Sequence, residues 1–153
     1  MATFKFDQLV DLDRADIVSA ALGAATGAAY ATADIGKFVK LEAASGDANW
    51  VPVADGDDLE GHIVSVEPYT VNLGFKFGSV QKNGRQWVIN ANAAGAGSAM
   101  AVGDFVVAAA QTVAIGTAGK TKVKDGAGTA FKWRVIRVLV DGAIGDEVLI
   151  ERV

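Results

Sequence analysis

The fold class of this chain is indicated most clearly by a nine-residue stretch near its middle, Tyr69-Thr70-Val71-Asn72-Leu73-Gly74-Phe75-Lys76-Phe77. Its odd-numbered positions are all large and apolar, and its even-numbered positions are small or polar. Successive side chains of a β-strand point to opposite faces of the sheet. This two-residue period therefore predicts a strand with one buried face.

The next turn signal along the chain is Asn83-Gly84. This is the preferred pair for a two-residue type I′ turn, because both central residues of that turn need positive φ. The flanking residues predict strands over 79–82 and 85–89, joined as a β-hairpin. Such a hairpin would place Val80 opposite Trp87.

The buried face has to change sides within this segment, because Val80 has the opposite parity to Phe75 and Phe77. Glycine in a strand commonly marks a bulge or a bend. Gly78 is therefore the expected site of the change.

Short strands separated by turns rich in glycine and aspartate continue along the chain after residue 34. This pattern predicts an all-β fold, either a β-sandwich or a barrel-like domain. Proline cannot donate a hydrogen bond to its neighbour strand, so Pro52 is expected on an edge strand. The further strands are predicted at 37–41, 50–53, 62–67, 104–109, 112–115, 121–124, 131–140 and 147–152.

The chain before residue 34 has a different pattern and predicts an N-terminal arm. Asp13 is placed to cap one short helix over 14–22, which Gly23 would end. Residues 24–33 are mostly small and show no period, which predicts an extended connector. The expected organisation is an arm over 1–33 and a β-domain over 34–153, forming one structural domain overall.

One short pattern recurs three times at unequal spacing. We interpret it as a tight turn at glycine, with an apolar plug before the glycine and a strand after it, at similar corners of the fold. The copies are Ile35-Gly36-Lys37-Phe38-Val39, Val102-Gly103-Asp104-Phe105-Val106 and Ile144-Gly145-Asp146-Glu147-Val148.

Composition narrows the possible functions. The chain has 153 residues, of which 51% are hydrophobic and 21% charged, so it is too apolar for disorder. The net charge is −4 and lysine and arginine are scattered, so no nucleic-acid partner is expected. The uncharged stretch 19–33 is too short to span a membrane, and no membrane partner is expected. The lack of cysteine excludes disulfides and thiolate metal sites.

The segment 116–121 is similar to the end of a phosphate-binding P-loop. That motif requires a glycine where this chain has Ala114, and it requires a following helix. The residues after Lys120 instead predict a strand and a turn, so we expect a surface turn here.

The densest acidic cluster is 55–60, whose carboxylates are of the type that binds Ca²⁺. An EF-hand loop needs glycine at its sixth position, where Glu60 stands, and it needs flanking helices. A solvated turn that leads into a strand is the better interpretation.

His62 is the only histidine, so sites that need two histidines are excluded. Its position at the start of an apolar strand predicts a partly exposed imidazole. No serine lies in a Gly-x-Ser-x-Gly elbow, so no catalytic triad is indicated. We expect no enzymatic activity, no catalytic residue, no metal and no cofactor.

The three tryptophans are expected to differ in burial. Trp133 lies between apolar neighbours in a predicted strand and should be core. Trp50, on the predicted edge strand, should be the most exposed of the three.

Several glycine- and aspartate-rich turns carry a resemblance to a known group of proteins. They lie in 34–41, 53–61, 64–68, 78–81 and 141–148, together with Gly84-Arg85 and Gly103-Asp104. In these turns the chain resembles the capsid decoration proteins, or head cement proteins, of tailed bacteriophages.

This resemblance implies a viral structural protein on the outer surface of the capsid, in a virion assembled in the host cytoplasm. It implies a β-rich homotrimer that binds the major capsid protein and stabilises contacts between its subunits. The candidate interface residues are Phe4 and Phe6 in the arm, with Trp50 and Trp87 as exposed aromatics.

Three alternatives remain open. The first is another virion β-domain, of the tail tube or baseplate, with the same composition and no active site. The second is a carbohydrate-binding module that stacks sugars on Trp50 or Trp87. The third is a small all-β enzyme such as trimeric dUTP pyrophosphatase, but that family's Gly-Val-Ile-Asp-type segment has no match here.

Overall fold

The computed structural model describes residues 17–23, 30–42, 49–67 and 76–153. The predicted all-β class is confirmed, and the helical content of the described residues is the 3₁₀ turn Thr32–Asp34. The strands are β1 Ile17–Leu22, β2 Phe38–Glu42, β3 Asn49–Pro52, β4 Gly61–Val66, β5 Lys76–Gln81, β6 Arg85–Asn90, β7 Phe105–Ala108, β8 Lys122–Asp125, β9 Trp133–Val138 and β10 Glu147–Arg152.

These strands form two closed five-stranded barrels that follow one another along the chain. The first has the strand order β1-β3-β2-β4-β5, and the pairing of β1 with β5 closes it. The second has the order β6-β8-β7-β9-β10, and the pairing of β6 with β10 closes it. Closure gives each of these strands two neighbours and leaves no sheet edge exposed.

The second barrel repeats the topology of the first. In each, the first and third strands are parallel and every other neighbouring pair is antiparallel. The register is also repeated, because Phe38 pairs with His62 in the first barrel and Phe105 pairs with Arg134 in the second. Phe38 and Phe105 therefore occupy equivalent positions.

The recurring glycine turn lies at equivalent corners of the two barrels. Gly36 precedes β2 and Gly103 precedes β7, with φ of +92° and +103°. Glycine adopts such a left-handed conformation without steric cost, which suits the third position of a type II turn. The predicted apolar plug is wrong, because the side chains before these glycines, Ile35 and Val102, are exposed.

The predicted hairpin at Asn83-Gly84 is wrong. β5 and β6 do not pair, because they belong to different barrels, and residues 82–84 connect one barrel to the other. Arg152 of β10 holds this connection, since its backbone N–H donates to Gly84 O at 3.2 Å and its Nη1 donates to Lys82 O at 3.0 Å. Barrel closure has overridden the local turn preference.

The strand faces in this region also differ from the prediction. Val80 pairs with Ile63 and is fully buried in the first barrel, whereas Phe77 is 50% exposed. Trp87 pairs with Leu149 of β10 and not with Val80. Residues 69–75 of the stretch that predicted this strand lie outside the described residues.

Gly78 is not the site of the register irregularity that a bulge or bend there would produce. The irregularity lies on β4 between Ile63 and Ser65, across from Val80 and Ser79, and Gly78 pairs with Val66. A Cβ at position 78 would collide with the Ser65 carbonyl oxygen and with the Leu22 side chain. Gly78 thus allows close approach of the backbones.

The predicted helix over 14–22 is wrong in its described part, which is strand β1. Ile17–Leu22 pairs residue by residue with β5, and Leu22 is fully buried in the first barrel. Residues predicted as part of the arm therefore build the barrel wall. Residues 1–16, including Asp13, and residues 24–29 of the predicted connector lie outside the described residues.

Two further strand predictions need correction. Residues 112–115 form no strand and belong to the long connection between β7 and β8. The strand that contains Pro52 is not an edge, because β3 pairs with both β1 and β2. The register with β1 reaches only Trp50, so Pro52 lies beyond the last β1 partner and its missing N–H costs no bond there.

The core of the second barrel extends into the first barrel, which also has a separate apolar cluster of its own around Leu22, Trp50, Ile63 and Val80. Phe38, Val53 and Leu59 come from the first barrel but pack into the core of the second. Phe38 meets the ring of Trp133 edge-on, with 4.9 Å between centroids. Trp133 is fully buried, as predicted. We call this contact region the junction, and it makes one body of the two barrels.

Replacing Phe38 with alanine tests the junction. Phe38→Ala opens a cavity at the shared core and should lower the free energy of unfolding by about 3–5 kcal/mol. The equivalent change in the second barrel, Phe105→Ala, removes a half-exposed ring and should cost about 1 kcal/mol or less. Urea denaturation measures both, and equal losses would contradict a junction built around Phe38.

Candidate functional site

The P-loop-like segment 116–121 is part of the junction. Asp34 and Lys37 of the first barrel form a buried ion pair at 2.7 Å. The backbone N–H of Gly116 donates to both Asp34 oxygens, and Lys37 Nζ donates to Ala114 O at 3.0 Å and Thr117 O at 2.6 Å. A buried ion pair is tolerated only when further hydrogen bonds satisfy it. Here the loop of the second barrel supplies them.

The end of the same segment also has structural partners. Thr121 accepts a hydrogen bond from Phe38 N through its Oγ1 at 2.8 Å, and from Ile89 N through its carbonyl at 3.0 Å. Lys120 forms an ion pair with Glu147 at 2.5 Å. Strand β8 follows, as the sequence predicted, in place of the helix that a P-loop requires.

The acidic cluster 55–60 contacts the second barrel as well. Asp58 accepts hydrogen bonds from Thr129 N and Oγ1, each at 2.9 Å, and from Ala130 N at 2.8 Å. Burial raises the pKa of Asp58, but the hydrogen bonds from Ala130, Thr129 and Phe131 outweigh it and lower the pKa. Asp58 therefore holds the β8–β9 connection against the first barrel.

The other carboxylates of this cluster are also paired. Asp55 and Asp57 form ion pairs with Lys124 and Lys40, each at 2.8 Å. Glu60 accepts from the Leu41 backbone N–H at 3.2 Å. Within the described ranges, no group of three or more histidine, aspartate or glutamate side chains is placed to hold a metal ion.

His62 is buried, and the prediction of a partly exposed imidazole is wrong. It lies in the junction beside Phe38 and Trp133, with ring centroids 5.6 and 6.4 Å away. Its Nδ1 is buried and has no hydrogen-bond partner among the described residues. Burial lowers the pKa of His62 to about 4, so the imidazole is neutral at physiological pH.

The aromatic candidates for an interface have different positions. Trp50 is only 5% exposed, so the prediction that it is the most exposed tryptophan is wrong. It is buried because its side chain packs in the apolar cluster of the first barrel, with Tyr30 and Ile63. Trp87 is half-buried on β6. Phe4 and Phe6 lie outside the described residues.

Two neighbouring loops stand at one end of the second barrel. We call them the distal loops, residues 91–104 after β6 and 139–146 after β9. On these two strands the junction contacts lie near the other end, at Gln86 near the start of β6 and at Trp133 at the start of β9. Further junction contacts come from Ala108, Thr121 and Lys124.

Asn90 joins the two distal loops. It is 1% exposed, and its Nδ2 donates to Ser98 O at 2.8 Å and to Gly142 O at 2.6 Å. Its carbonyl accepts from Gly145 N at 2.8 Å, and Met100 N donates to Gly142 O at 2.8 Å. A Cβ at position 142 would collide with Met100 O, so the backbones approach closely there. Sequence reasoning missed Asn90, since a single asparagine at a strand end carries no specific pattern.

The distal loops expose large apolar side chains. Val102, Leu139, Val140 and Ile144 are 66%, 49%, 70% and 47% exposed, and we call them the distal patch. Sequence reasoning missed this surface because it placed Val102 and Ile144 inside the fold as plugs. The sequence did contain a signal, because Val102 and Ile144 each occupy the second position of an Ala-x-Gly-Asp turn. In this turn the aspartate carboxylate accepts a hydrogen bond from the alanine N–H, and the second side chain points outward.

No known protein family, curated protein or solved structure matches the chain. In the described part of the chain, no helix has the length and apolar character needed to cross a membrane.

Stability should depend on His62 below neutral pH. The folded pKa of about 4 is lower than the ordinary 6.5, so the unfolded chain binds the proton more readily. The contribution of His62 is therefore present above pH 6.5 and is lost as the pH falls towards 4, by up to about 3 kcal/mol. His62→Phe should remove this part of the pH dependence, which urea denaturation between pH 7 and 4 measures. Parallel curves for both proteins would contradict the assignment.

Asp58 should contribute more to stability than its neighbour Asp55. Asp58→Asn replaces an acceptor oxygen that faces backbone N–H groups and should cost about 1–2 kcal/mol. Asp55→Asn removes one exposed ion pair and should cost about 0.5 kcal/mol or less. Thermal or urea unfolding of the two variants measures these losses of stability. A larger loss for Asp55→Asn than for Asp58→Asn would show that Asp58 does not hold the junction.

Proposed function

We propose that this chain is a viral structural protein that binds the outside of a bacteriophage capsid and stabilises contacts between major capsid subunits. The observation that supports this proposal best is that the polar side chains make structural contacts between the barrels. The P-loop-like segment, Asp58 of the acidic cluster and the histidine, which are the groups best suited to chemistry, all lie in the contact between the two barrels. These structural contacts agree better with a rigid protein that binds other subunits than with an enzyme.

The architecture suits a protein that holds other subunits in place. Closed barrels offer no free edges for unintended strand pairing, and a shared core resists movement of one barrel relative to the other. A preorganised partner loses less conformational entropy on binding. The capsid surface as the location, the major capsid protein as the partner and the homotrimeric assembly are what the resemblance of the turns to those of decoration proteins implies.

A tail-tube or baseplate domain would share these properties and is distinguished by its location in the virion. A carbohydrate-binding module is less well supported, because Trp50 is buried and only the half-buried Trp87 would be left to stack on a sugar.

Binding to undecorated phage heads tests this proposal. Purified protein mixed with such heads should occupy regular lattice positions in cryo-electron microscopy, and the decorated heads should withstand higher temperature before releasing DNA. Heads that already carry their decoration protein are the control and should take up little. Failure to bind heads, or binding to isolated tails alone, would overturn the proposal.

A further inference from the structure

The loops that carry the distal patch are acidic. The distal loops contain Asp104, Asp141 and Asp146 and neither lysine nor arginine. Asp125 at the end of β8 adds a fourth carboxylate, and its pKa is raised by burial and by the nearby charge of Asp104, against a hydrogen bond from Asn92. The distal end therefore combines an exposed apolar centre with an acidic rim.

The carboxylates of the rim also shape the loops. Asp104 and Asp146 accept from the backbone N–H groups of Ala101 and Ala143, at 2.7 and 3.0 Å, which closes each turn behind its apolar residue. Together with Asn90, these bonds hold the distal patch in one arrangement before any partner arrives. A surface fixed in this way loses little entropy on binding.

Exposed apolar side chains grouped on one end of a small domain are typical of an interaction surface. The rim selects the partner, because charges around an apolar centre favour a surface of opposite sign and speed the encounter. One basic residue stands nearby, since Arg137 is exposed on β9 two residues before Leu139; the three aspartates of the loops and Asp125 outnumber it.

We propose that the distal patch and its acidic rim dock onto a protein surface with an apolar centre and a rim of lysine and arginine. Resting on the function proposed above, this partner surface belongs to the capsid shell. The second barrel binds the shell through its distal end, and the first barrel projects away from it.

The first barrel provides a matched control within the same chain. Ile35 occupies the turn position equivalent to Val102 and is 48% exposed, close to Ile144. Its turn contains the buried Asp34, whose charge is paired with Lys37. A change at Ile35 alters exposed apolar area to the same extent without touching the distal end.

The test is a co-sedimentation titration of the full chain with undecorated heads. Val140→Ser and Ile144→Ser should each weaken binding by about tenfold, the effect of losing one buried aliphatic side chain. Ile35→Ser should bind like the unaltered protein. Asp141→Asn should weaken binding by about threefold at low salt and reduce its salt dependence, whereas Asp55→Asn should not.

The outcomes separate this inference from the proposed function. If the unaltered protein does not bind heads, both are overturned. If it binds and the distal variants bind equally well, or Ile35→Ser is the variant that fails, only the docking surface is overturned. Thermal unfolding of each variant identifies any loss of fold, and cryo-electron microscopy of heads decorated with the unaltered protein shows directly which end meets the shell.

Discussion

The structure depends on one contact, the insertion of Phe38 and Leu59 from the first barrel against Trp133 of the second. Trp133 is fully buried, and its Nε1 donates to Leu59 O at 2.7 Å, so the largest side chain of the second core is oriented by the first barrel. A five-stranded barrel has a small interior, so apolar side chains at its end are shielded from water only if another part of the chain packs over them. The first barrel therefore completes the core of the second, and Ile115 of the second barrel packs against the core of the first.

The repeat shows how equivalent walls of the two barrels differ. His62 and Gln81 pair on the wall of the first barrel beside Phe38, and the equivalent pair in the second barrel is Arg134 and Glu151. The uncharged pair belongs to the wall that carries the junction, whereas Arg134 and Glu151 are placed for solvent. The wall that meets the other barrel is therefore the uncharged one of the two.

The sequence predicted a strand well where a two-residue period followed a glycine turn. Strand β10, Glu147–Arg152, matches its prediction at both ends. The prediction from sequence failed where the structure of a segment depends on residues that are distant along the chain. Ile17–Leu22 becomes a strand because β5 pairs with it, and Asn83-Gly84 connects two barrels because closure supplies each strand with other neighbours. The distal patch was hidden because an apolar residue in a turn gives no sign of whether it faces inward or outward.

Native-state hydrogen exchange tests most directly that the two barrels are one cooperative unit. The Ile63 amide bonds to Lys37 O in the first barrel, and the Val135 amide bonds to Asp104 O in the second. With a shared core, both should exchange only through global unfolding, with equal free energies of opening and the same dependence on urea. A lower free energy for either amide, with a smaller urea dependence, would mean that its barrel opens alone and would contradict the account.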